Sequence, residues 1–192
     1  MIDIAGNRTL AETRRGLVPT GVLVAVGGLN KSRWIDRWAF YEERGCPLER
    51  WLSYGIELDN AVIDAGQPAT FGFHLCRGNQ LSRWLVAGGY DAIAAPVFGG
   101  VHADRLLLEY DDERSGTFNP LRLVPDDKVV VLGLVTTKTS RIETPKRIKT
   151  RLREASSLVD AERLALSPQC GFATSVADNA IAPRRNAPNS PC

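Results

Sequence analysis

The chain has 192 residues, 44% of them hydrophobic and 24% charged, the balance of a folded globular protein rather than a disordered one. Lys and Arg number 24 against 22 Asp and Glu, and the net charge of +2 excludes a strongly basic nucleic-acid binder. No apolar run approaches the about 20 residues of a membrane span, and MIDIAGNRTLAETRR lacks a signal-peptide core, so the expectation is a soluble cytoplasmic chain.

In chain order, Gly21–Val26 reads as a first strand, and the Gly27-Gly28 after it is too little for a nucleotide fingerprint. Leu48–Asp64 reads as a helix, with Trp51, Gly55, Leu58 and Val62 at helical steps along one stripe. Ala69–Leu75 is a second strand; Gln80–Ala87 and Tyr90–Phe98 are short helices parted by Gly88-Gly89. Strands follow at Asp104–Glu109 and Val129–Val135, short and apolar on both faces, as parallel strands beneath helices are. Thr144–Val159 reads as a helix with Pro145 in its first turn and Ile148, Leu152, Ala155 and Val159 on one stripe. Its basic residues, from Arg141 to Arg153, form a solvated face, and Leu164–Ser167 supplies the last strand. Beyond Ala173 the chain carries three prolines and little periodicity, so it reads as a disordered tail ending in a free Cys192.

Alternating strands and helices give an α/β protein with a parallel sheet. About five βα units are present, short of the eight that a closed barrel of about 250 residues uses.

Three segments at the C-terminal ends of predicted strands hold side chains suited to chemistry. FHLCRGN carries His74 and Cys76, whose i, i+2 spacing projects both to one side of a strand. LLLEYDDERSG places Glu109 at the end of an apolar run, and LALSPQCGF places Cys170 before Gly171. One imidazole, two thiolates and one carboxylate make an acceptable tetrahedral zinc set. Spacing alone leaves other roles open: a hydrogen-bonded core histidine, a small buried cysteine, a Glu109 paired with Arg114, a turn residue at Cys170. Cys46, beside Pro47 at a helix start, reads as structural, and the cluster Asp111, Asp112 and Glu113 does not match a calcium loop.

HLCRGN, LLLEYDDERSG, VVLGLVTTK and LALSPQCGFATS together resemble the C-terminal catalytic domain of cobalamin-independent methionine synthase, especially its short single-domain relatives, from about Phe40 to Ser175. The resemblance implies a partial (β/α)8 TIM barrel of the type shared with uroporphyrinogen decarboxylase. It also implies transfer of a methyl group from a methyltetrahydrofolate to the thiol of homocysteine, giving methionine. It places the family's zinc ligands on His74, Cys76, Glu109 and Cys170. Homocysteine and the folate are then the partners, with neither nucleic acid nor membrane.

Two departures qualify the resemblance. The family's upstream strand carries an aspartate for the homocysteine amino group, whereas here VLVAVGGLNKSRW has no acidic residue. The first half of the barrel and the final helix are also missing. The expectation is a chain truncated or frame-disturbed at both ends, with a divergent segment over 1–39, a synthase-like portion over 40–175 and a tail over 176–192. Open barrel edges then predict self-association. The alternatives are a zinc-binding remnant without turnover, and a decarboxylase-like barrel without metal.

Overall fold

The structure, a computed structural model, describes residues 2–3, 24–25, 43, 45–79, 82 and 88–172. The chain divides into two units, Met1–Arg33 and Trp34–Cys192. In the first, strand β1 (Ile2–Asp3) pairs in parallel with β2 (Val24–Ala25), inside the predicted Gly21–Val26. A strand at Ile2–Asp3 is not legible in the sequence, because two residues are too few to show a period.

The second unit runs α1 (Leu48–Ala65), β3 (Gly72–Leu75), α2 (Ala94–Gly100), β4 (Arg105–Glu109), β5 (Val129–Val135), α3 (Pro145–Ser156) and β6 (Leu164–Pro168). β3, β4, β5 and β6 form one parallel sheet in sequence order, the arrangement produced when each strand returns through a helical crossover. Leu106, Leu108, Val130, Leu132 and Leu134 are all buried, and Val97, Phe98, Ala155 and Val159 from the helical layer share their core. Each fully buried side chain of this size contributes about 1.5–3 kcal/mol relative to exposure. On the opposite face Leu107, Val131 and Ala165 are half-buried.

Two predicted elements are displaced. β3 starts at Gly72 rather than Ala69: the Phe71 N–H is taken by Asp104 Oδ2 at 2.7 Å, which ties the entry to the start of β4. Tyr90–Phe98 becomes α2 at Ala94–Gly100, and Tyr90 instead sits in the preceding turn with its ring buried. α3 keeps Ile148, Leu152 and Ala155 of its stripe but ends at Ser156, so Val159 joins the core from beyond the helix; Thr144 caps it, its Oγ1 accepting from Arg147 N at 3.3 Å.

The stripe read on α1 holds at Trp51, which packs on the core, and fails at Leu58 and Val62. Leu58 and Val62 are 70% and 66% exposed, while Leu52 and Ile63 are buried and Ile56 packs on the core. Both sets recur at helical spacing, so periodicity could not choose between them. The choice is made by Asn60, which donates to Gly100 O at 2.8 Å and accepts from His102 N at 2.8 Å, turning its own side of the helix inward. The helix predicted at Gln80–Ala87 lies outside the described residues apart from Ser82, as do the segment 26–42 and the tail from Ala173.

Candidate metal centre

Because the four strands are parallel and adjacent, their C-terminal ends share one edge of the sheet. That is the edge at which parallel α/β folds assemble sites. In register, His74 lies beside Leu107, two residues before Glu109, so His74, Cys76 and Glu109 share a face across β3 and β4. Cys170 follows the end of β6. One ligand atom from each of His74, Cys76, Glu109 and Cys170 lies within 4.8 Å of every other. Solvent reaches His74 and Cys76, Cys170 is half-buried, and Glu109 is fully buried.

The spread of 4.8 Å is wider than the about 4 Å of a closed zinc tetrahedron. The two sulfurs are joined by a hydrogen bond. That bond, followed by the protein packed around the sulfur, pushes the Cys76 thiol up to about 12. The same bond holds Cys170 down at about 7, as the accepting partner. His74 is raised, first by its hydrogen bond with Cys76. Burial is the first cause that lifts Glu109 to about 7.

The two oxygens of Glu109 have different surroundings. Oε2 accepts from Arg114 Nη2 at 2.8 Å, whereas Oε1 is buried without a hydrogen-bond partner, 3.7 Å from His74 Nε2. A fully buried carboxylate oxygen left bare beside an imidazole and two sulfurs is the oxygen a cation would satisfy. The donor set of nitrogen, two sulfurs and a carboxylate suits zinc. The residues therefore fit a metal.

The surrounding shell combines Arg114, Asp111 and Asp112, named from the sequence, with residues that the sequence did not single out. The Tyr90 hydroxyl accepts from Glu109 N at 2.8 Å and lies 3.4 Å from Leu75 O, bridging the ends of β3 and β4. The Arg77 guanidinium lies over the Tyr90 ring, 4.1 Å from its centroid, and donates to Gly88 O. Thr137 Oγ1 accepts from Asn79 Nδ2 at 2.9 Å and Gln169 Nε2 at 2.8 Å, tying together the loops that follow β3, β5 and β6. Lys138 pairs with Asp111, and Asp111 and Asp112 both approach Arg114. LEYDDERSG contained the signal for this ion cluster, but Tyr90, Asn79, Thr137 and Gln169 meet only through long-range contacts.

Other candidates lie elsewhere. Cys46 is half-buried at the start of α1 and His102 pairs with Asp64 at 2.8 Å; neither joins the cluster. On α3 the exposed Lys146, Arg147, Lys149 and Arg153 match the solvated face read from the sequence. Arg151 instead covers the Phe118 ring at 3.9 Å. Cys192 and the VLVAVGGLNKSRW stretch beyond Ala25 lie outside the described residues. Among the described residues no helix is long and apolar enough to cross a membrane.

Residues 63–189 match the family described as "Cobalamin-independent synthase, Catalytic domain". Uncharacterized protein YxjG of Bacillus subtilis is 47% identical over 136 residues, covering 70% of this chain and 36% of that protein. Methionine synthase of Thermococcus kodakarensis is 26% identical over 121 residues, covering 63% of this chain and 32% of that protein. The solved B12-independent methionine synthase from Shewanella sp. W3-18-1, in complex with selenomethionine, aligns at a TM-score of 0.54 and 22% identity. It covers 73% of this chain and 40% of that one, a likeness of fold. This chain thus spans well under half the length of the relatives it matches, and its parallel sheet is a portion of their barrel. On the family match across most of its length, the chain belongs to the cobalamin-independent synthase catalytic-domain family.

Proposed function

We propose that the chain carries the zinc-binding, thiol-activating part of a methionine-synthase-type methyl transfer, from a methyltetrahydrofolate to homocysteine. The observation that carries this reading is the convergence of His74, Cys76, Glu109 and Cys170 within 4.8 Å around the bare Oε1 of a buried carboxylate. Zinc bound there would lower the pKa of an incoming thiol and hold its sulfur as a thiolate at neutral pH.

The chain's own residues do the rest. His74 and Cys76 present their donors at the solvent-reached side, where a small thiol can approach. Glu109 is the ligand expected to yield its place, because a carboxylate is a weaker zinc donor than a thiolate and Arg114 stands ready to receive it. In the transfer a sulfur–carbon bond forms, the methyl carbon leaves the folate nitrogen, and a proton ends on that nitrogen. Homocysteine is thereby methylated to methionine without any change of redox state.

A second reading, zinc binding without turnover, is favoured by the lack of an acidic residue in VLVAVGGLNKSRW. Two measurements on the purified chain separate the readings. Metal analysis after exhaustive dialysis is expected to give close to one zinc per chain, falling to near zero in Cys76→Ser and Cys170→Ser. Retention of zinc by both variants overturns the site. Methionine formation from homocysteine and methyltetrahydrofolate then decides between enzyme and remnant, since only the first makes product.

A further inference from the structure

We infer that Arg114 is a positioning residue that makes Glu109 the exchangeable ligand of the metal centre, by holding its carboxylate both on the metal and after an incoming thiol has displaced it. The inference rests on the metal-site reading above and concerns a residue that binds no metal itself.

The geometry is specific. Arg114 is buried, with its side chain 3% exposed, and Nη2 donates to Glu109 Oε2 at 2.8 Å. Since Oε2 is taken, only Oε1 faces the cluster, and Glu109 is limited to a single-oxygen contact. A one-oxygen carboxylate is easier to displace than a chelating one.

Arg114 is in turn fixed by acids on the other side. Nε lies 3.1 Å from Asp112 Oδ1, Nη2 lies 3.6 Å from Asp111 Oδ1, and the backbone N–H donates to Asp112 Oδ1 at 3.2 Å. Lys138 pairs with Asp111 and lies 3.6 Å from Asp112 Oδ2, offsetting the accumulated negative charge. The guanidinium is thereby held in place whether or not Glu109 touches a metal.

The consequence is energetic. When a thiolate enters the metal's coordination sphere, a displaced Glu109 is a carboxylate whose own side chain is fully buried. An unpaired buried charge is strongly unfavourable. With Arg114 at 2.8 Å the charge stays paired throughout, so the exchange proceeds without stranding it. Lysine is a poor substitute, since one ammonium cannot span Glu109 and both aspartates in a planar fork.

The test uses the full chain loaded with cobalt(II), whose visible spectrum reports its ligands, titrated with 2-mercaptoethanol. This thiol needs only a coordination position. Arg114→Met is expected to bind cobalt with its spectrum little changed, but to need at least about tenfold more thiol for the half-maximal spectral shift. Arg114→Lys is expected to fall between the two, at about threefold. Circular dichroism checks folding, and if the Met variant does not fold the Lys variant decides. A folded variant whose thiol titration lies within about twofold of the parent overturns the role of Arg114. Failure of the parent chain to bind cobalt overturns instead the metal site beneath it.

Discussion

At the residue scale, two sulfurs and a carboxylate that a metal wants deprotonated are held by the metal-free chain at unequal proton affinities. The Cys76 thiol stays protonated across the physiological range at about 12, while Cys170 and Glu109 both sit at about 7. Below pH 7 a zinc ion must displace at least three protons, and well above it chiefly the one on Cys76. Zinc affinity is therefore expected to rise with pH, with a slope in log K near four at about pH 5.5, where the raised His74 also carries its proton, and falling toward one above about pH 8.5. Chelator competition across that range, with proton release by calorimetry in two buffers, measures both. A flat profile would mean that these groups are not the ligands.

The same carboxylate sets a stability trend. Glu109 has a folded pKa raised above its ordinary 4.5, so its contribution is full below about 4.5 and lost as pH rises through about 7. Zinc is expected to reverse that loss, giving the largest metal-induced rise in Tm above neutrality.

Among the elements, the strand ends are placed by small and buried groups as much as by the apolar core. A Cβ on Gly133 of β5 would lie 2.7 Å from Gln169 Cα and 3.1 Å from Leu108 O, backbone on both sides. Gly133→Ala is expected to push the chain around Gln169 and Cys170 outward and to weaken zinc binding by about tenfold or more. A chelator titration matching the parent would contradict it. Lys128 is buried, and its Nζ donates to Val101 O at 2.9 Å and Ala103 O at 2.8 Å, closing the link from α2 to β4. Lys128→Met leaves two carbonyls bare and is expected to lower Tm by about 5–10 °C while leaving zinc stoichiometry unchanged, as a thermal melt with metal analysis would show.

For the whole molecule, the sheet is a four-stranded portion of a barrel whose relatives are well over twice as long as the matched region. Among the described residues, β3 and β6 each pair on one side only, and Leu107, Val131 and Ala165 are half-buried on the face away from the core. Unpaired parallel edges beside a partly open apolar face favour pairing with a further chain. Self-association is the expected outcome: the mass measured by light scattering should rise with concentration between about 1 and 100 µM. A monomer at every concentration, with a cooperative melt independent of it, would refute this.

How much was legible follows from which interactions are local. β5 was read to the residue and α3 nearly so, since an unbroken Val/Leu run and a capped, proline-started helix each declare themselves within one element. The four ligand candidates were visible because each sits at a strand end, and a parallel sheet brings such ends to one edge. Nothing local, by contrast, distinguished the two apolar stripes of α1, whose orientation depends on Asn60 meeting Gly100 and His102 some 40 and 42 positions away. Nor could it show that Arg114 takes one oxygen of Glu109 and leaves the other bare. By itself, then, the sequence determined the alternation of elements and the parallel sheet through periodicity, and it singled out four candidate donors by residue chemistry together with a family resemblance. Only the tertiary structure decided which helix face is buried and which carboxylate oxygen is free, because both depend on groups far apart in the chain meeting at one place.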